Sequence, residues 1–140
     1  MLFRIIYVSQ ANTPLPLELK DILISSRKNN RVMRVTGAMG FIDGLYLQCL
    51  EGEEDVINTL YKRIAEDPRH SAVKTLVRKP IFDCAFSGWS MGLLTWNDET
   101  KKVFEKFNLL DPHDLYAANP ETIDSLVRSL TASDNWMVLS

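Results

Sequence analysis

Residues 34–52 read RVTGAMGFIDGLYLQCLEG, and this stretch decides the fold. Asp43-Gly44 stands between two apolar runs, RVTGAMGFI and LYLQCLEG. An Asp-Gly pair between such runs is a strong hairpin signal, because a tight two-residue turn needs positive φ at both central positions. The two runs are therefore read as adjacent antiparallel strands. LYLQCLEG also poses a problem: an uncharged amide, Gln48, sits in the middle of an apolar strand. A buried amide with no partner costs about 1–3 kcal/mol. Gln48 is either half-exposed or supplied with partners.

Working outward, LELKDILISSRKNN before the hairpin carries an apolar stripe at Leu19, Ile22 and Leu23 and reads as a helix. The loop ANTPLP separates it from LFRIIYVSQ, whose alternation makes a first strand with Phe3, Ile5, Tyr7 and Ser9 on one face. After the hairpin, EEDVINTLYKRIAEDP is a second helix with Val56, Ile57, Leu60, Tyr61 and Ile64 as its stripe. Pro68 ends it, since proline disfavours a helical residue before it. VKTLVRKPI and SMGLLTW are a fourth and a fifth strand, joined by the loop DCAFSGW. The order β-α-β-β-α-β plus one strand is the ferredoxin-like α+β pattern, a mixed sheet with both helices on one face. Residues 1–97 are read as one domain. Residues 98–140 hold two helical stretches, Lys101–Leu110 and Pro120–Ser133, read as a cap on the other sheet face or an oligomer contact.

The 140 residues suit one domain with a real core. Hydrophobic residues at 46% and charged residues at 24% exclude a disordered chain. A net charge of −2 argues against nucleic acid, whose phosphates demand a basic surface. No apolar run reaches the roughly 20 residues of a membrane helix, and MLFRIIYVSQ lacks a signal-peptide cleavage site, so the cytoplasm is the expected compartment. Cys49 and Cys84 are too few for a disulfide framework and have no metal-type spacing with His70 or His113.

The polar anomaly at Gln48 recurs. On the first helix the stripe Leu19, Ile22, Leu23 continues at 3–4 spacing into Ser26 and Asn30. On the second, Leu60 leads into Arg63 and Asp67. If both helices cover one sheet face, these positions converge on a slot floored by Tyr7 and Gln48. Apolar walls with a few fixed hydrogen-bonding groups suit a planar heteroaromatic ligand, and Arg69 and His70 stand at the mouth, in reach of a phosphate or sugar. Taken singly, each residue has a plainer reading. Tyr7 is a core tyrosine, Asn29-Asn30 a helix C-cap, Arg63 and Asp67 a surface ion pair at i, i+4, and His70 a surface residue.

Taken together, the chain resembles the BLUF family of blue-light sensors that bind FAD. The motifs run in order: IIYVSQ with Tyr7, SSRKNN with Ser26, Asn29 and Asn30, TGAMGF, LQCLEG with Gln48, YKRIAEDPRH with Arg63, Asp67, Arg69 and His70, and FSGWSM with Trp89 and Met91. The resemblance spans roughly residues 1–97. It implies FAD between the two helices, with FMN or riboflavin as possible substitutes. Asn30 and Gln48 would meet the O4 and N5 edge of the ring. Asn29, Arg63 and Asp67 would hold its other polar edge or the ribityl chain, with Arg69 and His70 nearer the phosphate end. Tyr7 would hydrogen-bond Gln48 and act as electron donor. Gln48 would switch its hydrogen bonds to give a reversible red-shifted state. Ser9, Trp89 and Met91 would form an outer shell, with either Trp89 or Met91 turned inward.

The resemblance further implies a short photoreceptor and not an enzyme, since the tail is too short for a cyclase or phosphodiesterase. It would signal to a separate partner protein and self-assemble as a homo-oligomer. Three colourless rivals stand beside this reading. An acylphosphatase-like hydrolase would need a phosphate-cradling loop and a nucleophile–base pair, and neither is evident. A nucleic-acid module would need exposed aromatics and basic charge. A plain interaction domain would need no ligand.

Overall fold

The computed structural model describes residues 1–12, 17–85 and 88–139, with the side chains of residues 17–20 and 139 left aside. The loop prolines, the Leu19 side chain, Phe86 and Ser87 thus lie outside the described residues. The elements are β1 (Leu2–Ala11), α1 (Leu17–Met33), β2 (Thr36–Ile42), β3 (Leu45–Glu53), α2 (Glu54–Ala65), β4 (His70–Pro80), β5 (Met91–Leu94), α3 (Asp98–Lys106), a 3₁₀ helix (Pro112–Ala117), α4 (Pro120–Thr131) and β6 (Trp136–Leu139). They build a six-stranded sheet in the order β4-β1-β3-β2-β5-β6. All neighbours are antiparallel except the parallel pair β2 and β5. The ferredoxin-like α+β core is as expected, with a fifth strand added.

The Asp43-Gly44 turn sets the register. Both residues have positive φ, 48° and 84°, and the turn pairs Ile42 with Leu45 and, three steps on, Met39 with Gln48. Gln48 in turn faces Tyr7 across β1. Every residue of β3 from Leu45 to Gly52 is buried, so the half-exposed alternative for Gln48 does not apply.

Alternation sorts the sheet into two buried faces. On one, α2 packs over β1 and β3 and α1 over β2 and β5. Phe3, Ile5, Leu50, Ile57 and Leu60 form one apolar cluster there, and Leu23, Met39, Tyr46 and Met91 another. On the opposite face Ile6, Val8, Leu47 and Cys49 meet Phe104, Leu115, Ile123 and Leu126 of the C-terminal segment. The C-terminal helices are thus a cap on the sheet. They also end in a strand the sequence reading had not assigned, β6, which extends the sheet beyond β5.

The cap face carries a buried charge network. Arg4 Nε donates to Glu51 Oε2 at 2.7 Å and Arg4 Nη1 to Asp124 Oδ1 at 2.8 Å. Lys79 Nζ donates to Asp124 Oδ2 at 2.7 Å, and the Ala85 amide to Glu51 Oε1 at 2.8 Å. Burial opposes the charge on Asp124, yet the hydrogen bonds from Lys79 and Arg4 hold its carboxyl below the usual carboxylate value.

Two expectations change. Helix α1 does not stop at Asn29-Asn30 but runs to Met33, and Arg34, not an asparagine, takes the left-handed conformation after it (φ 56°). Asp67 does not pair with Arg63. It is held by Arg69, two residues on.

Candidate functional site

Between α1 and α2 the sheet face opens into a slot. Two adjoining pockets share Ser26, Gln48, Ile64, Asp67 and Arg69 in their linings. Tyr7, Ile22, Met39, Tyr46 and His70 complete the first, and Ser25, Asn29, Asn30, Leu60 and Arg63 the second. Every expected ligand-holding residue therefore lines the slot: Tyr7, Ser26, Asn29, Asn30, Gln48, Arg63, Asp67, Arg69 and His70. Of the apolar walls, Ile22 and Ile64 stand on the expected helix stripes, whereas Met39 and Tyr46 were not placed in the slot by sequence reasoning. Met39 was within reach, because the two-residue turn fixes it opposite Gln48.

At the floor, the Tyr7 hydroxyl donates to Gln48 Oε1. Burial foremost, and then the neighbouring Tyr61 and Asp67, push the Tyr7 phenol far above its ordinary value. Tyr7 is thus a neutral donor at any physiological pH. With its carbonyl oxygen taken, the Gln48 amide keeps both N–H bonds without a partner among the described residues. Asn30 lies beside it, and its Nδ2 donates to the Ser90 carbonyl at 2.8 Å. Gly37 makes room for that contact: a Cβ there would stand 2.8 Å from Asn30 Nδ2 and 3.1 Å from Met91 Cε.

At the mouth, Arg69 clasps Asp67. Its Nη2 donates to Oδ2 at 2.6 Å, and its backbone and Nε both donate to Oδ1. These bonds hold the Asp67 carboxyl below its ordinary value. His70 Nε2 lies 2.5 Å from the Ile64 carbonyl, which can only accept, so Nε2 carries hydrogen. In the neutral ring Nδ1 then accepts from the Ser9 hydroxyl at 2.7 Å. Ser9 thus orients His70 and does not line the slot.

The outer residues separate. Met91 is fully buried on the slot face, packed with Leu23, Met39 and Tyr46. Trp89 lies on the opposite face. Its ring covers Gly92, where a Cβ would meet it at 2.5 Å, and packs at a tilt against Trp136 with centroids 5.3 Å apart. Of the two arrangements the resemblance allows, the structure has Met91 turned inward. The Trp89 backbone remains tied to the site, since its carbonyl accepts from the Gly37 amide at 3.1 Å.

The donor set fits a flavin. A flat ring with donors and acceptors on its edges needs apolar walls on its faces and amides at its rim, and Ile22, Met39, Ile64, Gln48 and Asn30 supply both.

Comparison with known proteins agrees. The sequence profile of the BLUF family, described as sensors of blue-light using FAD, matches residues 2–92. A photoactivated adenylate cyclase subunit beta from Euglena longa is 31% identical over 92% of this chain, which spans only 15% of that relative. Among solved structures, BlsA superposes with a TM-score of 0.86 at 28% identity, covering 96% of this chain and, in its photo-activated state, 98% of that one. A BLUF protein in its dark state, BlrB, gives 0.69 at 25% identity over 89% of this chain and 96% of its own.

Proposed function

Because this chain belongs to the BLUF family, sensors of blue light that use FAD, we propose that Tyr7 and Gln48 are its light switch and that the signal passes to a separate partner protein. When bound, FAD supplies the blue-light absorption and, once excited, a strong oxidant. Ser26, Asn29, Asn30, Arg63 and the Asp67–Arg69 pair hold and orient it, and Ile22, Met39 and Ile64 exclude water from its faces. FMN or riboflavin substitutes, since the gripping groups line the slot and not a phosphate cradle.

The observation that carries this reading is the hydrogen bond from Tyr7 to Gln48 Oε1, which leaves the amide N–H bonds free at the slot floor. An electron lost from the Tyr7 ring makes its hydroxyl strongly acidic, and the proton has a ready acceptor in Gln48 Oε1. If the amide makes a half-turn and the electron and the proton then return to Tyr7, both groups are neutral again, with Nε2 toward Tyr7 and the unprotonated Oε1 toward the slot. What the floor offers changes from donor to acceptor, with no atom added or lost. Glutamate or leucine cannot make this exchange.

The change leaves through β5. Asn30 holds the Ser90 carbonyl and Gly37 the Trp89 carbonyl, so a shift at the floor moves the entry to Met91, then the β5–β6 pair and the cap. We assign residues 1–97 to sensing and 98–140 to output and self-association, as a homo-oligomer. The named relatives include photoactivated cyclases; this chain contributes the sensor and acts on its partner without catalysis of its own.

Absorption spectra of the purified protein, in the dark and just after blue light, test this. A flavin band that moves slightly red and recovers in the dark is expected. Bleaching would mean photoreduction and a redox flavoprotein. No flavin after reconstitution with FAD would reduce the likeness to fold alone.

A further inference from the structure

Helix α1 has a second face that the slot does not use. Ile22, Leu23, Ser26, Asn30 and Met33 point to the sheet. On the opposite side, at 3–4 spacing, stand Ile24, Arg27, Lys28, Arg31 and Val32, which line a shallow groove of their own. Ile24 is 57% exposed and Val32 78%, so two branched aliphatic side chains face water. Three cations crowd between them, at i, i+3 and i, i+4, where like charges weaken a helix. Arg34 follows at the helix end and is also exposed. Lys28 and Arg31 have no carboxylate partner among the described residues, and among those residues Asp21 is the one acid on that side of the helix. This concentration of positive charge belongs to a chain whose net charge is −2.

We propose that the outward face of α1 docks an acidic amphipathic helix of the partner protein, its apolar ridge on Ile24 and Val32 and its carboxylates on Lys28 and Arg31. The inference rests on the reading that the chain signals through a separate partner. Charge complementarity selects the occupant. Aliphatic anchors eight residues apart, flanked by cations, are matched by a helix with an apolar stripe between acids. A second copy meeting this face through its own α1 would set cations against cations. The position also suits a readout: Asn30, which walls the slot, immediately precedes Arg31 and Val32, so one turn of helix carries both surfaces.

The test uses the FAD-loaded full chain and a fluorescent 20-residue probe helix with leucines on one stripe and glutamates on the flanks, read by anisotropy. The expected result is saturable binding that weakens with salt, and about tenfold or more weaker binding for Lys28→Glu with Arg31→Glu. Ile24→Ser with Val32→Ser, all exposed positions, is expected to weaken it similarly. So is a probe whose leucines become serines at equal charge. Equal binding of both probes, or unchanged binding to the variants, would overturn the proposal. So would binding to phosphatidylserine-containing vesicles that the probe does not displace. The flavin red shift is read in the same samples. If it is lost while probe binding behaves as expected, the sensing reading fails and the docking face stands; the reverse pattern overturns the docking face alone.

Discussion

The two faces of this sheet both bury polar groups, drawn from the same two strands. On the cap face, Arg4 of β1 meets Glu51 of β3. On the slot face, Tyr7 of β1 meets Gln48 of β3. The first pair is closed. Glu51 also takes the Ala85 amide, Asp124 takes Arg4, Lys79 and Arg128, and the network joins three strands, α4 and the loop before β5. The second pair is open, because the one hydrogen bond leaves the amide with donors to spare. Buried polarity that is saturated fastens elements together. Buried polarity with capacity left over waits for a ligand.

The comparison can be broken first on the closed side. Glu51→Ala leaves Arg4 and the Ala85 amide short of a partner in a dry site. It is expected to lower unfolding stability by about 3–5 kcal/mol, read from the urea midpoint. Arg4→Leu, Glu51→Leu and Asp124→Leu together should cost much less, because a buried ion cluster and well-packed leucines are often close in stability. If the triple variant loses as much as Glu51→Ala, the charges are not what the single substitution measures.

Two glycines on the adjoining strands β2 and β5, one under each face, sharpen it. Gly92→Ala drives a methyl into the Trp89 ring and should cost about 1–3 kcal/mol of stability, with the flavin site intact. Gly37→Ala meets the ends of two flexible side chains, Asn30 and Met91. Its expected stability loss is smaller, below about 1 kcal/mol, but displaced Asn30 should weaken flavin retention in equilibrium dialysis. Equal effects of both on flavin retention would contradict the separation of the faces.

The smallest effect concerns the mouth. Arg69 lowers the Asp67 carboxyl, so this pair stabilises the fold above the ordinary carboxylate value of 3.8. The contribution fades as pH falls through the still lower folded value. Both side chains are partly exposed, so it is at most about 1 kcal/mol. Wild type and Arg69→Ala should differ by that much at pH 7 and converge in acid. A difference that persists at pH 2 would mean that Arg69 stabilises by packing.

Much of this was legible in the sequence. The hairpin followed from Asp43-Gly44, and the slot from stripes that turn polar at Ser26, Asn30, Arg63 and Asp67, because period 2 and period 3.6 fix which side chains share a face. The closed network was not. Arg4, Glu51 and Asp124 are up to 120 residues apart, and nothing local distinguishes a buried glutamate from a solvated one. Which of Trp89 and Met91 turns inward could not be read, because the backbone turns at Gly88, with φ 84°, just before Trp89 and breaks the alternation. Strand β6 escaped because WMVL is four residues long and pairs only with β5.

The most direct test of the open face is Gln48→Leu, nearly the same size but with no hydrogen-bonding group. Its light-minus-dark absorption spectrum, recorded on the FAD-loaded variant beside wild type, decides the matter. The account predicts that the variant retains flavin and gives no red-shifted state, while wild type shifts and recovers. A reversible red shift in the variant would contradict it, and the switch would have to be sought elsewhere on the slot floor.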